Sequence, residues 1–224
     1  FAYDALSGEQ RPLKPLAADP ATGEGLTVLV SERNDRGWVD VTDGPQWLAD
    51  GSFLWWSDRS GFRHLYRHRA DGTLLHPVTS GEWDVRAVLK TDEEKRRIYV
   101  EANADQVSGS QVFRASLDGR AEPVRLTRGG GTHQVTFAPG DAFFLDTVSD
   151  ATNPGEARVC DADGQVLRVV ARLAPSPAAA EYRLGQPRFV AFKARDGYPL
   201  EGTLLLPPDY DPAKRYPVFC PVYA

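Results

Sequence analysis

A repeat of about 45 residues constrains this chain more than any other feature. Three eight-residue segments, LYRHRADG at 65–72, VFRASLDG at 112–119 and ARVCDADG at 157–164, run from apolar or aromatic residues into an Asp-Gly pair. Their starts lie 47 and 45 residues apart. FAYDALSG at 1–8 has the same shape, closed by Ser-Gly. Between them recurs a second element, an apolar or aromatic stretch after a turn: LADGSFLWW at 48–56, KTDEEKRRIYV at 90–100 and FAPGDAFFL at 137–145. Asp50, Asp92 and Asp141 mark its turns. Asp-Gly between extended runs signals a hairpin, because Gly accepts φ > 0 without a Cβ clash and the turn then matches strand twist.

Helical repeats would carry apolar stripes at 3.6-residue spacing, and these segments have none, so the period and its roughly four short strands fit a β-propeller blade. Residues 1–185 read as about four blades of four-stranded antiparallel sheet, part of a propeller whose earlier blades are expected upstream. The 64 residues between the first two segment starts hold one blade plus an insertion, for which ADPATGEG at 18–25 is the expected loop. Phe53, Trp55, Tyr99, Phe143 and Phe144 lie on strands between neighbouring blades and read as core, without a function.

Composition excludes several classes. A net charge of −5 and a pI near 5.4 leave no basic footprint for nucleic acid or an anionic membrane surface, and no apolar run is long enough to span a bilayer. Cys160 and Cys220 stand 60 positions apart with no Cys/His cluster, so neither a disulfide scaffold nor a zinc site is indicated. Met is absent even at position 1, and the string is expected to be a piece of a longer protein. The compartment is left open between cytoplasm and periplasm or export.

The stretch ARLAPSPAAAEYRLG (171–185) loses the repeat and reads as a connector. Beyond it, two extended runs around 188–194 and 200–206 flank Asp196-Gly197. A third run, Pro217 to Tyr223, is nearly all apolar, as in a strand buried on both faces of a parallel or mixed sheet. So short a stretch cannot bury a core of its own, so residues 186–224 are expected to open a second domain.

Several blocks resemble the dipeptidyl peptidase IV branch of the prolyl oligopeptidase serine peptidases. They are FLWWSDRSGFRHLYRHRADG (53–72) with TSGEWDV (79–85), the junction FKARDGYPLEGTLLLPPDYDPAKRYPV (192–218), the terminal PVYA (221–224) and, more weakly, WVDVTD (38–43), in the family's order. The resemblance implies a propeller segment followed by the first strands of an α/β-hydrolase domain. It also implies a parent that releases Xaa-Pro or Xaa-Ala dipeptides from peptides with a free N-terminus, without cofactor or metal, and a possible homodimer. By the same resemblance Tyr223 falls on the family's oxyanion tyrosine, and Trp38, with Asp40 beside it, on a loop whose aromatic residue packs against substrate. The family's arginine in that loop is not matched, since Val39 and Val41 flank these residues. The glutamate pair that binds the substrate's amine is expected upstream of Phe1; Glu93-Glu94 reads as a solvated turn.

The triad itself is missing from the string: it contains no G-x-S-x-G elbow, and the fragment alone is expected to be inactive. Ser108 and Ser110 lack the elbow's spacing, His133 after Gly129-Gly130-Gly131 reads as the start of a strand, and His64, His68 and His76 lack ligand spacing. Two other readings stand beside the dipeptidyl peptidase: an acylaminoacyl peptidase of the same superfamily, and a non-catalytic propeller that binds proteins.

Overall fold

The computed structural model describes residues 2–6, 12–18, 21–22, 24–25, 27–34, 38–40, 44–104, 108–174 and 176–221. Within these, the chain forms four four-stranded antiparallel sheets and one hairpin. The first sheet holds β1 (Ala2–Leu6), β2 (Pro12–Ala17), β3 (Thr27–Val28) and β4 (Glu32–Arg33), with β3 and β4 both paired to β2. The second runs β5 (Gln46–Trp47), β6 (Phe53–Ser57), β7 (His64–His68), β8 (Leu74–Pro77), each strand beside the next. The third repeats this order with β9 (Val85–Asp92), β10 (Arg97–Ala102), β11 (Gln111–Ser116), β12 (Val124–Arg125). The fourth does so with β13 (Thr132–Phe137), β14 (Phe143–Ser149), β15 (Glu156–Asp161), β16 (Val166–Arg172). The recurring Asp-Gly segments supply β7, β11 and β15, the third strand of each sheet.

The sheets stack face to face. Because successive side chains of a strand point to opposite faces, one strand serves two cores. Phe53 and Trp55 pack with Leu13, Leu29 and Val30 of the first sheet, whereas Leu54 between them joins Val85, Ile98, Val100 and Phe113 of the third. Tyr99 and Val112 turn the other way, onto Phe144 and Cys160 of the fourth. Phe53, Trp55, Tyr99 and Phe144 are thus core, as their strand positions require; Phe143 instead lies 49% exposed.

Each sheet grips the one before it through its Asp-Gly turn. A Cβ on Gly72, Gly119 or Gly164 would sit 1.9, 2.3 or 2.0 Å from the carbonyl oxygen of Leu29, Pro77 or Leu126, so the glycines are needed for closeness as well as for positive φ. Arginines of the third strands reach forward: Arg67 donates to the Leu117 carbonyl, and Arg114 to the Ala162 carbonyl and to Asp163.

These contacts also fix the first sheet's register within the repeat. Leu29 N–H donates to Pro15 as Val78 does to Leu65 and Leu126 to Val112, so β2 occupies the third-strand place of β7 and β11. The 1–8 segment therefore supplies the second strand, not the third, since an apolar run ending in a turn marks either arm of a hairpin. The 18–25 stretch, of which residues 18, 21–22 and 24–25 are described, stands in sequence between β2 and β3, where other sheets have a tight Asp-Gly turn.

The family-like blocks have structural work. His64 bridges Thr79 Oγ1 (3.1 Å) and the Gly81 carbonyl (3.0 Å); a carbonyl only accepts, so Nε2 carries the proton. Trp83 then lies edge-on to His64 and stacked on Phe113. One repeat later Gln111 does the same with Thr127 and the Gly129 carbonyl.

Beyond the fourth sheet, β17 (Pro187–Lys193) and β18 (Pro199–Leu205) form the hairpin expected around Asp196-Gly197. The run expected as a buried strand differs: residues 217–221 form no strand, and Val218 and Phe219 are 85% and 90% exposed. A strand needs a neighbouring ladder, and none of the described residues offers one there.

Candidate functional site

A concavity of about 990 Å³ opens at one end of the second sheet. Its wall comes from the β6–β7 turn (Ser57 to Arg63), the start of β9 (Asp84 to Arg86), Asn103, and the Glu32–Asn34 and Val39–Asp40 segments. A second cleft of about 650 Å³ runs between the first strands of the second and third sheets, where Gln46 Nε2 donates to Thr91 Oγ1. Trp56, Arg63 and Arg86 line both.

Two networks stiffen this wall. Buried Glu32 accepts from Trp55 Nε1, Ser57 Oγ and Arg59 Nη2 (2.6 Å), while Arg59 also donates to Ser57 and lies over the Tyr66 ring. Across the cleft, Asp84 accepts from the Arg63 backbone N–H (2.8 Å) and Asn103 Nδ2 (3.2 Å), and its own N–H donates to Asn103 Oδ1 (2.7 Å). Arg63 is pinned a second time by Val85 N–H on its carbonyl, and its guanidinium stacks 4.7 Å from the Trp56 ring centre. Asp58 sits among these charges: partial burial holds its carboxyl above the usual range, Asp40, Asp84 and Glu32 push the same way, and Arg63 opposes them. Such a wall can hold a polar or charged chain by hydrogen bonds and ion pairs. Covalent chemistry is not offered, because Ser57 Oγ is spent on Glu32 and Arg59.

Of the residues singled out from sequence, Trp38 is 73% exposed beside this cleft, its carbonyl accepting from Asn34 Nδ2, while Val39 and Asp40 form part of the wall. Tyr223 lies outside the described residues. Glu93 accepts from Ala49 N–H, joining the β9–β10 turn to the second sheet.

A catalytic look-alike lies elsewhere. His133 and Asp146 form a fully buried pair, Nδ1–H donating to both carboxylate oxygens at 2.8 and 3.0 Å. Ser110 is close by, yet its hydroxyl donates to the His133 backbone carbonyl, and the ring's Nε2 has no partner among the described residues. Without solvent access or a Ser–ring hydrogen bond, the three cannot act as a triad. Burial and the Asp146 charge push the Cys160 thiol up to about 11, which keeps it protonated and unreactive. Among the described residues no group of three or more His, Cys, Asp or Glu is placed to hold a metal ion, and no helix is long and apolar enough to cross a membrane.

Sequence reasoning passed over Arg63, Trp56, Asp84 and Asn103. Arg63 and Asp84 lay in the SGFRHLY and GEWDV blocks, but nothing in one dimension says that these blocks meet.

Residues 3–155 match the family described as the dipeptidyl peptidase IV (DPP IV) N-terminal region. The probable dipeptidyl peptidase 4 of Arthroderma benhamiae is 24% identical over 99% of this chain and 29% of its own length. The dipeptidyl peptidase 4 of Arthroderma otae is 26% identical over 90% of the chain and 27% of its own. The chain thus spans under a third of the curated relatives it matches. The crystal structure of Porphyromonas gingivalis dipeptidyl peptidase 4 superposes with a TM-score of 0.78 at 24% identity, covering 96% of this chain and 31% of that one. A putative dipeptidyl aminopeptidase IV from Bacteroides ovatus gives 0.79 at 19% identity.

Proposed function

The chain belongs to the dipeptidyl peptidase IV N-terminal region family, and from that membership we propose that it is the propeller portion of a serine exopeptidase. That enzyme releases Xaa-Pro and Xaa-Ala dipeptides from peptides with a free N-terminus. The observation that carries the reading is the family match over residues 3–155, on a stack of sheets whose mixed-charge cleft can receive a peptide.

In this reading residues 1–185 are propeller blades and residues 186–224 open the α/β-hydrolase domain that brings the catalytic groups. A Ser hydroxyl attacks the carbonyl carbon and a His takes its proton. The C–N bond breaks as the His returns the proton to the leaving amine, and water then releases the dipeptide from the acyl-enzyme. No cofactor enters that sequence. Tyr223 donates its phenol O–H to the oxyanion formed on the way, and Trp38, exposed at the rim, meets the peptide. The 224 residues alone, lacking the elbow serine, are inactive, and the whole enzyme is a homodimer.

The test is hydrolysis of Gly-Pro and Ala-Pro chromogenic amides by the full-length protein beside an N-acetyl-Ala amide. Cleavage of the free-amine substrates alone, with kcat reduced roughly 10²- to 10³-fold in Tyr223→Phe, is the expected result. Cleavage of the acetylated substrate would move the reading to an acylaminoacyl peptidase, and cleavage of neither to a protein-binding propeller.

A further inference from the structure

Arg63 differs from the other ordered arginines of the stack. Arg59 spends its donors on Glu32 and Ser57, Arg67 on Ser52, Asp50 and the Leu117 carbonyl, and Arg114 on Ala162 and Asp163. The Arg63 guanidinium has no hydrogen-bond acceptor among the described residues. It is nevertheless held in place, with its backbone bonded on both sides, to Asp84 and Val85, and its plane backed by the Trp56 indole. It also stands where the two clefts meet. A guanidinium ordered by stacking, with its N–H fork unspent, is pre-organised for a planar two-oxygen acceptor, because little side-chain entropy remains to be lost on binding.

We infer that Arg63 is the anchor of a carboxylate subsite, which takes an acidic side chain of a peptide lying in the cleft. The inference rests on the peptidase reading above and names a preference within it. The surroundings select among anions. Asp84 has both oxygens engaged, and the Asp58 carboxyl, which lines the same cleft, lies within electrostatic reach of the guanidinium. A single negative charge is tolerated beside it, whereas a phosphate dianion meets stronger repulsion.

The experiment uses the full-length protein and pairs of peptides that differ only by Glu or Gln at one position beyond the second residue, made uncleavable by N-methylation of the scissile amide. Fluorescence anisotropy gives Kd for each. At one position Glu binds roughly tenfold more tightly than Gln, as a charge-assisted bidentate contact predicts. That ratio falls to about one in Arg63→Met, which keeps a chain packed on Trp56, and to an intermediate value in Arg63→Lys, which keeps the charge without the fork; the Lys variant serves if the Met variant does not fold. A ratio of one at every position in the wild type, a ratio that survives Arg63→Met, or displacement of the Glu peptide by inorganic phosphate more readily than by acetate would each overturn the subsite. Failure to hydrolyse Ala-Pro amides with the Glu preference intact would instead count against the peptidase reading alone.

Discussion

The third and fourth sheets share strand order, hairpin turns and spacing, yet their second strands are buried differently. In β10 three successive residues, Ile98, Tyr99 and Val100, are buried, because the second sheet covers one face and the fourth sheet the other. In β14 burial alternates strictly: Phe144, Asp146 and Val148 face the third sheet, while Phe143, Leu145, Thr147 and Ser149 face outward. One fold unit thus yields a two-faced core strand or a one-faced strand, according to what stands beside it.

That comparison is sharpened first by Ile98→Ala, which leaves a cavity inside a two-sided core and should cost about 4 kcal/mol in chemical denaturation. Next comes the buried face of the fourth sheet, where His133→Ala strands the Asp146 carboxylate without its hydrogen-bond partner and should cost about 3 kcal/mol. A much smaller value would mean that the pair sees solvent. Gly119→Ala drives a Cβ into the Pro77 carbonyl and should cost about 2 kcal/mol, against about 1 kcal/mol for Gly197→Ala in the outlying hairpin, where only the positive φ objects. Equal losses would show that the turn glycines serve conformation rather than sheet-to-sheet approach. Leu145→Ala, on the open face, should cost about 0.5 kcal/mol. A loss near that of Ile98→Ala would break the comparison by revealing a covered face.

The smallest effect is in pH. Burial between the first and second sheets holds His68 below its ordinary value of 6.5. As pH falls through 6.5 the unfolded chain takes up a proton that folded His68 refuses, so stability declines until the folded ring protonates as well. The melting temperature should fall between pH 7 and pH 5, and His68→Gln should flatten that slope; an unchanged slope would remove His68 as its source.

The repeat, the hairpin turns and the all-β class were legible because they are local: Asp-Gly needs only its own backbone, and a 45-residue period needs only counting. The strand position of the 1–8 segment was not, since a hairpin arm looks the same in either place. It took the Leu29–Pro15 and Gly72–Leu29 contacts to show that β2 is the third strand. The cleft lay further out of reach. Trp38 and Asp40 marked its rim from the WVDVTD block, but the groups that stiffen it come from four separate stretches of chain.

Sequence alone determined the unit: alternating strands, glycines at turns, and blocks in an order that points to one family. Tertiary structure decided which faces are core, which arginine keeps its donors free, and that a Ser, a His and an Asp near one another form a buried strut rather than a triad. The physical reason is that hairpins are settled by neighbours in the chain, whereas burial and charge pairing are settled by neighbours in space, and here those are 13 to 51 residues apart.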